Sequence, residues 1–223
     1  MKILKSIIRP LVRLFFLFLR KLKSIKFSIK LRYFRLFGRR YQFTETSKAK
    51  KRREKDGFFE KYCQGKGIDM GYNGDLVCKN AIGFDIEHGD ATYLEIHQDK
   101  KFDFIYSSHL FEHLSNPKLA LKNWWKLLNK NGFLIIYLPH RDLYEKNKKL
   151  PSKFNPDHKY FYLIDDDDLP DTLDLKKLVL ENCKNCQLEY SKVCDDNYVS
   201  NGDNKQSSGE YSIEIVVKKL EDD

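Results

Sequence analysis

Apolar and basic positions repeat with a helical period over the first 25 residues. At about 100° per residue, Lys2, Lys5, Arg9, Arg13, Arg20 and Lys23 fall within an arc of roughly 80°. Leu4, Ile7, Ile8, Leu11, Leu14, Phe15, Phe18, Leu22 and Ile25 lie mainly on the other side. Pro10 kinks this helix or marks a start near it. The longest apolar piece, Leu14 to Leu19, is far too short to cross a bilayer. The pattern predicts a basic amphipathic arm over residues 1–45. A charged, solvated linker over 46–58 (Lys48, Lys50, Lys51, Arg52, Arg53, Lys55) then leads into a domain spanning 59–223.

Within that domain, short apolar runs alternate with helical stretches, which predicts an α/β sheet. Lys66 to Gly71 reads as a strand ending in a glycine turn, Asn80 to Asp85 as a second, and Phe102 to Tyr106 as a third that runs into Ser107, Ser108 and His109. Pro117 to Asn129 is a predicted helix with Leu119, Leu121, Trp124, Trp125, Leu127 and Leu128 on its buried side. Asn131-Gly132 ends it, and Phe133 to Leu138 is a β-prone strand. A polar insertion covers 140–160, and Asp171 to Glu181 reads as a further helix. Gln187 to Val193 and Glu210 to Lys219, with no helix between them, predict an antiparallel hairpin at the sheet's end.

Charge changes this picture more than length does. The 223 residues suit one domain with room for a core, and 41% hydrophobic with 14% aromatic residues excludes a wholly disordered chain. The net charge of +9 is split: residues 1–53 carry 18 Lys plus Arg against one acid (Glu45), and the remainder carries 23 bases against 31 acids, so an arm at +17 precedes a domain at −8. A nucleic-acid partner should find positive charge continuing onto the domain, so the split argues against one. The arm fits a helix lying among anionic headgroups, with residues 1–40 as the membrane contact. It also fits an organellar transit peptide or a helix docked on a protein, whereas a secretory signal would need a small-residue cleavage site that is missing. Five cysteines, an odd number in a chain this long, point to free thiols and a cytoplasmic setting, with peripheral membrane attachment through the arm.

The pieces of the domain occur in a telling order: Gly67-Ile-Asp69-Met-Gly71-Tyr-Asn-Gly74, then Gly83-Phe-Asp85, then Gly89-Asp90-Ala91, then Phe102 through Ser107, Ser108, His109, Glu112 and His113. This series, over roughly residues 60–140, resembles the class I S-adenosylmethionine-dependent methyltransferases. The resemblance implies a Rossmann-like, doubly wound, mostly parallel sheet with a C-terminal antiparallel hairpin. It also implies S-adenosylmethionine as cofactor. Asp69, Gly71 and Gly74 would flank its methionine end, Asp85 the ribose hydroxyls and Asp90 the adenine amino group, with Ser107, Ser108 and His109 lining the sulfonium and acceptor side. A glycine turn lets backbone approach a ligand beyond the strand ends, and a carboxylate accepts two hydroxyl donors at once. The family's turn has glycine at alternate positions, and here Tyr72 and Asn73 separate Gly71 from Gly74. Asn73 either replaces a glycine, since Asn tolerates the left-handed conformation, or the domain is a non-catalytic, membrane-associated interaction module.

The stretch from Tyr144 to His158 is similar to a subset associated with surface-polysaccharide biosynthesis, which implies a glycan or lipid-linked glycan acceptor, with a small-molecule acceptor as the second reading. Methylating a hydroxyl calls for a base, and histidine suits neutral pH; His140 and His158 are the candidates, with Asp157 orienting His158. Tyr144, Tyr160, Phe161 and Tyr162 form either a wall against a sugar ring or core, with Phe161 read as core.

His109-Leu-Phe-Glu112-His113 also matches H-x-x-E-H, which on a helix would place two imidazoles on one face for a zinc hydrolase. No third ligand can be named, so the expectation is no metal. Cys183 and Cys186, with Cys194, read as thiols, and Asp165 to Asp168 as a solvated loop lacking calcium-loop spacing.

Overall fold

The computed structural model describes residues 44–94, 100–202 and 206–221. The predicted helix of the basic arm therefore lies outside the described residues, as far as residue 43. The long apolar runs form the middle of a six-stranded sheet in the order β2-β1-β3-β4-β8-β7. Its strands are β1 (Gly67–Met70), β2 (Ala81–Phe84), β3 (Phe102–Ser108), β4 (Leu128–Pro139), β7 (Cys186–Cys194) and β8 (Ser212–Lys219). The first four are mutually parallel, and β8 pairs antiparallel with both β4 and β7. This is the Rossmann-like, mostly parallel sheet with a terminal antiparallel hairpin that the series of motifs implies. Strands buried on both faces need no alternation, and accordingly all four residues of β1 are buried.

Helix α3 (Pro117–Leu127) starts where Asn116 accepts a hydrogen bond from the Leu119 amide at 3.1 Å, with Pro117 in its first turn. It buries Ala120, Leu121, Trp124 and Trp125, and the Trp124 indole donates to the Ala91 carbonyl at 2.7 Å. The chain enters β4 at Leu128, because Leu128 already pairs with Phe102. The helix expected from Asp171 is preceded by a short strand, β6 (Thr172–Asp174), which pairs in parallel with β5 (Phe161–Leu163). Asp174 then caps α4 (Leu175–Asn182) by accepting from the Lys177 amide at 3.1 Å.

The linker over 46–58 needs correction. Residues Glu45–Lys55 form α1, capped by Thr44, and Phe58–Tyr62 form α2. Arg53 is 1% exposed. Its guanidinium donates to Glu214 Oε2 at 2.8 and 2.6 Å and to the Tyr106 hydroxyl at 2.7 Å. Arg52 joins Glu210 and Glu214. A run of bases looks solvated in sequence, but these two are neutralised by acids about to enter, or already in, β8. The start of α1 is tied to the turn after β1, where Thr44 and Ser47 both donate to Asp75.

The five cysteines are free thiols. Among the described residues, no helix is long and apolar enough to cross a membrane.

Candidate active site

Parallel register brings the C-terminal ends of β1, β2 and β3 to one rim: Met70 lies opposite Phe84 on one side and Ser107 on the other. At this rim the chain turns at Gly71, whose φ is +77° and whose amide donates to the Phe84 carbonyl at 2.8 Å. A Cβ on Gly71 would stand 2.9 Å from the Leu110 Cβ, so the turn lies directly against the segment leaving β3. Asn73 adopts φ +44° and Gly74 φ +79°. Asn73 thus takes a left-handed angle that a glycine would take freely.

The Asn73 amide donates to Asp85 Oδ2 at 3.0 Å, and the Ile86 amide to Asp85 Oδ1 at 2.8 Å. Each oxygen retains a further lone pair, so the Asp85 carboxylate is fixed in place and can still accept two hydroxyls. Asp69 is fully buried and accepts from the Val77 amide at 2.6 Å through Oδ2. Its Oδ1 and the buried Ser107 Oγ have no hydrogen-bond partner among the described residues. Burial pushes the Asp69 carboxyl up to about 8. Such orphaned groups are costly unless something meets them. Asp90, on the loop after β2, is exposed and closes a local turn by accepting from the Thr92 amide at 2.7 Å.

Beyond β3 stands a second group of side chains. His109 has φ +48°, and its ring Nε2 lies 2.9 Å from Ser212 Oγ. The residues after it form a 3-10 turn, Phe111–His113, so the two imidazoles of the H-x-x-E-H match do not share an α-helical face. Instead they converge on one atom. Glu112 Oε1 is 3.8 Å from His109 Nδ1, 3.9 Å from His113 Nε2 and 3.8 Å from His158 Nε2. Burial raises the Glu112 carboxyl to about 7 against the pull of His158, and burial also holds His109 well below, and His113 below, the ordinary imidazole range.

His158 comes from the 140–160 insertion and is only 4% exposed. Its Nδ1 lies 2.5 Å from Glu145 Oε1, and Ser152 donates to the other Glu145 oxygen. Asp157, expected to orient His158, instead meets His113 Nδ1 at 3.2 Å. Chain neighbours here point to opposite sides. Tyr144 stacks on the His158 ring at 5.6 Å, while Phe161 and Tyr162 are buried core and form no sugar wall. His140 caps the turn Arg141–Glu145, accepting from the Asp142 amide at 3.1 Å, and its charged neighbours are Asp142, Arg141 and Asp195 rather than the Glu112 group.

The structure therefore gathers Asp69, Gly71, Gly74, Asp85, Ser107 and His109 on the rim and His158 beside it, leaves Asp90 on an exposed loop, and sets His140 just past β4 at the same edge of the sheet but apart from the Glu112 group. Sequence reasoning overlooked Glu145 and Ser212. Glu145 lay within the similar stretch but had no pattern of its own, and Ser212 becomes a neighbour of His109 only through the antiparallel pairing of β8.

A parallel sheet with an acid closing its second strand and a glycine turn after its first defines a nucleotide-cofactor fold. Residues 49–136 match the family model described as a methyltransferase domain. Among solved structures, the chain is similar to an S-adenosylmethionine-dependent methyltransferase from Archaeoglobus fulgidus, with 18% identity, TM-score 0.52, and coverage of 84% of this chain and 100% of that one. It is also similar to a protein of echinomycin biosynthesis that converts a disulfide bond into a thioacetal group, with 11% identity, TM-score 0.52, and coverage of 77% and 81%. No curated protein matches significantly. Over residues 49–136 the chain is similar to a methyltransferase domain, and its fold is shared with a solved S-adenosylmethionine-dependent methyltransferase; S-adenosylmethionine is the cofactor this similarity supports. The rim fits that group: Asp85 has free acceptor capacity, Asp69 Oδ1 and Ser107 Oγ lack partners among the described residues, and Gly71 keeps side-chain bulk out of the turn.

Proposed function

We propose that the protein transfers a methyl group from S-adenosylmethionine to a hydroxyl of a glycan or lipid-linked glycan, at a membrane surface that its basic arm contacts. The carrying observation is the rim itself, where Gly71, Asp85, Ser107 and His109 meet at the ends of three parallel strands. When bound, the cofactor would supply an electrophilic methyl, the acceptor oxygen gaining a C–O bond as the C–S electron pair leaves to sulfur and the hydroxyl proton passes to water.

The chain's residues hold and orient. Asp85, pinned by two amides, takes the ribose hydroxyls, and Asp90 the adenine amino group. Asp69 and Ser107 take polar groups of the methionine end. The acceptor enters from the side of His109, where the insertion and the imidazole group stand, and alignment there lowers the barrier by removing the freedom of two reactants. A glycan is supported by the polar insertion and by the resemblance read in the sequence from Tyr144 to His158. The membrane is supported by the 13 Lys plus Arg and no acid over residues 1–43.

The motive for a non-catalytic module is the interrupted glycine turn, and Asn73 at φ +44°, a left-handed angle a glycine would take, supports the catalytic reading over it. Calorimetric titration with S-adenosylhomocysteine is the test. Micromolar binding by the full chain, lost in Asp85→Ala, is expected. A folded protein that fails to bind sinks the enzyme reading. Methyl transfer from labelled cofactor to lipid-linked glycan precursors then decides the acceptor.

A further inference from the structure

We propose that Glu112, His113 and His158 hold a divalent transition-metal ion. One donor atom from each lies within 4.8 Å of the others. The separations are the first argument. At 3.8 and 3.9 Å, His158 Nε2 and His113 Nε2 are too far from Glu112 Oε1 for hydrogen bonds, yet both stand within 4 Å of it. Ligands at about 2.1 Å from a shared tetrahedral ion stand about 3.4 Å apart, so a small contraction would bring all three onto one centre.

The outer nitrogens give the second argument. Metal-bound imidazoles typically donate their other N–H to a carboxylate, which fixes tautomer and ring orientation. Here His158 Nδ1 meets Glu145 at 2.5 Å and His113 Nδ1 meets Asp157 at 3.2 Å, from two different parts of the insertion. Glu145 is itself held by Ser152. A carboxylate behind each of two imidazoles is more support than a packing role needs.

Glu112 supplies the third. Its side chain is 2% exposed, and Oε2 has no hydrogen-bond partner among the described residues. A cation would meet an acid that burial otherwise leaves stranded. His109 Nδ1, 3.8 Å from the same oxygen and backed by Ser212, puts a third imidazole beside the trio. Two imidazoles and a carboxylate favour zinc, cobalt, nickel or ferrous iron over magnesium or calcium, which take oxygen ligands.

The trio departs from the metal-free expectation of the sequence and from the zinc-hydrolase motif alike. Glu112 is a ligand here rather than a base, and the third ligand comes from 45 residues further along the chain. Binding of the ion does not depend on the methyl-transfer reading. Its use does rest on it: lying past the mouth of β3, the cation would favour the deprotonated form of an acceptor hydroxyl that touched it, as bound cations do for water.

The test is a cobalt titration of the chelator-stripped full chain, followed by visible absorption and elemental analysis. One Co²⁺ per chain is expected, displaced by Zn²⁺, with the visible band abolished in His113→Ala and His158→Ala. Asp157→Asn, at an exposed site, should keep the fold and weaken the affinity about 10- to 100-fold. No stoichiometric cobalt in a folded full chain overturns the proposal, as does a band unaltered in both His113→Ala and Asp157→Asn. S-adenosylhomocysteine titrated into the same sample separates the two readings. Cofactor binding without a cobalt band removes only the metal, and a cobalt band without cofactor binding removes only the methyltransferase.

Discussion

Asn73 does two things at once: it takes a left-handed backbone angle, and its amide pins Asp85. Asn73→Gly should therefore be nearly silent in stability and in S-adenosylhomocysteine affinity, since glycine takes that angle freely. Asn73→Val should cost on the order of 1–3 kcal/mol for a strained residue and should also weaken cofactor binding, because relaxing the strain moves the amide away from Asp85. Chemical denaturation and calorimetry on the two variants check this pair, and equal behaviour of Gly and Val would show that the angle carries no consequence. Residue by residue, the sequence was most legible where chemistry is local. Asp69, Gly71 and Asp85 could be placed because the first lies within a strand and the other two directly follow one, and strands announce themselves by apolar runs. His113 and Glu145 could not, because what gives them meaning is a partner 44 or 13 residues away in the chain.

Helix α1 is held to β8 by a buried clasp. Burial alone would raise the Glu214 carboxyl, but Arg53 and Arg52 more than reverse this and hold it at about 2 against an ordinary 4.5. A carboxylate depressed in the folded state stabilises fully above its unfolded value, and that stability is lost as pH falls from about 4.5 toward 2. The corresponding contribution is about 3 kcal/mol. Glu214→Gln should thus lower stability at neutral pH by about 3–5 kcal/mol, since it strands a buried guanidinium, and should flatten the acid limb of the stability curve between pH 4.5 and 2. Urea titrations across that range read both effects; an unchanged acid limb would mean that the clasp is not what titrates there. This element was also the one most misread from sequence. Hydrophobic periodicity found β1, β2, β3, β4 and the hairpin, because their burial is carried by apolar side chains. Helix α1 buries Arg53 instead, and a charge run gives no sign of the acids that will meet it from β8.

On the scale of the whole chain, a domain with 28 Lys plus Arg against 32 acids over residues 44–223 follows a segment, 1–43, with 13 Lys plus Arg and no acid. The proposed attraction to anionic lipid would therefore come from that basic segment, and chiefly from the face predicted to carry Lys2, Lys5, Arg9, Arg13, Arg20 and Lys23. Each such cation near an anionic surface contributes about 1 kcal/mol, within a Debye length of the membrane. Full-length protein is therefore expected to float with vesicles containing phosphatidylserine or phosphatidylglycerol, to float poorly with purely zwitterionic vesicles, and to detach as salt is raised. Replacing the six basic residues by Gln should remove most of this binding while leaving S-adenosylhomocysteine affinity intact, because none of them belongs to the rim. Flotation that persists in the replaced chain, or that ignores salt and lipid charge, would assign attachment to the apolar face alone. The distinction bears on function: attachment by charge would keep the enzyme at an anionic leaflet and bring the rim to acceptors carried on lipid. Attachment by apolar burial would make it indifferent to lipid charge, leaving the glycan reading to rest on the insertion alone.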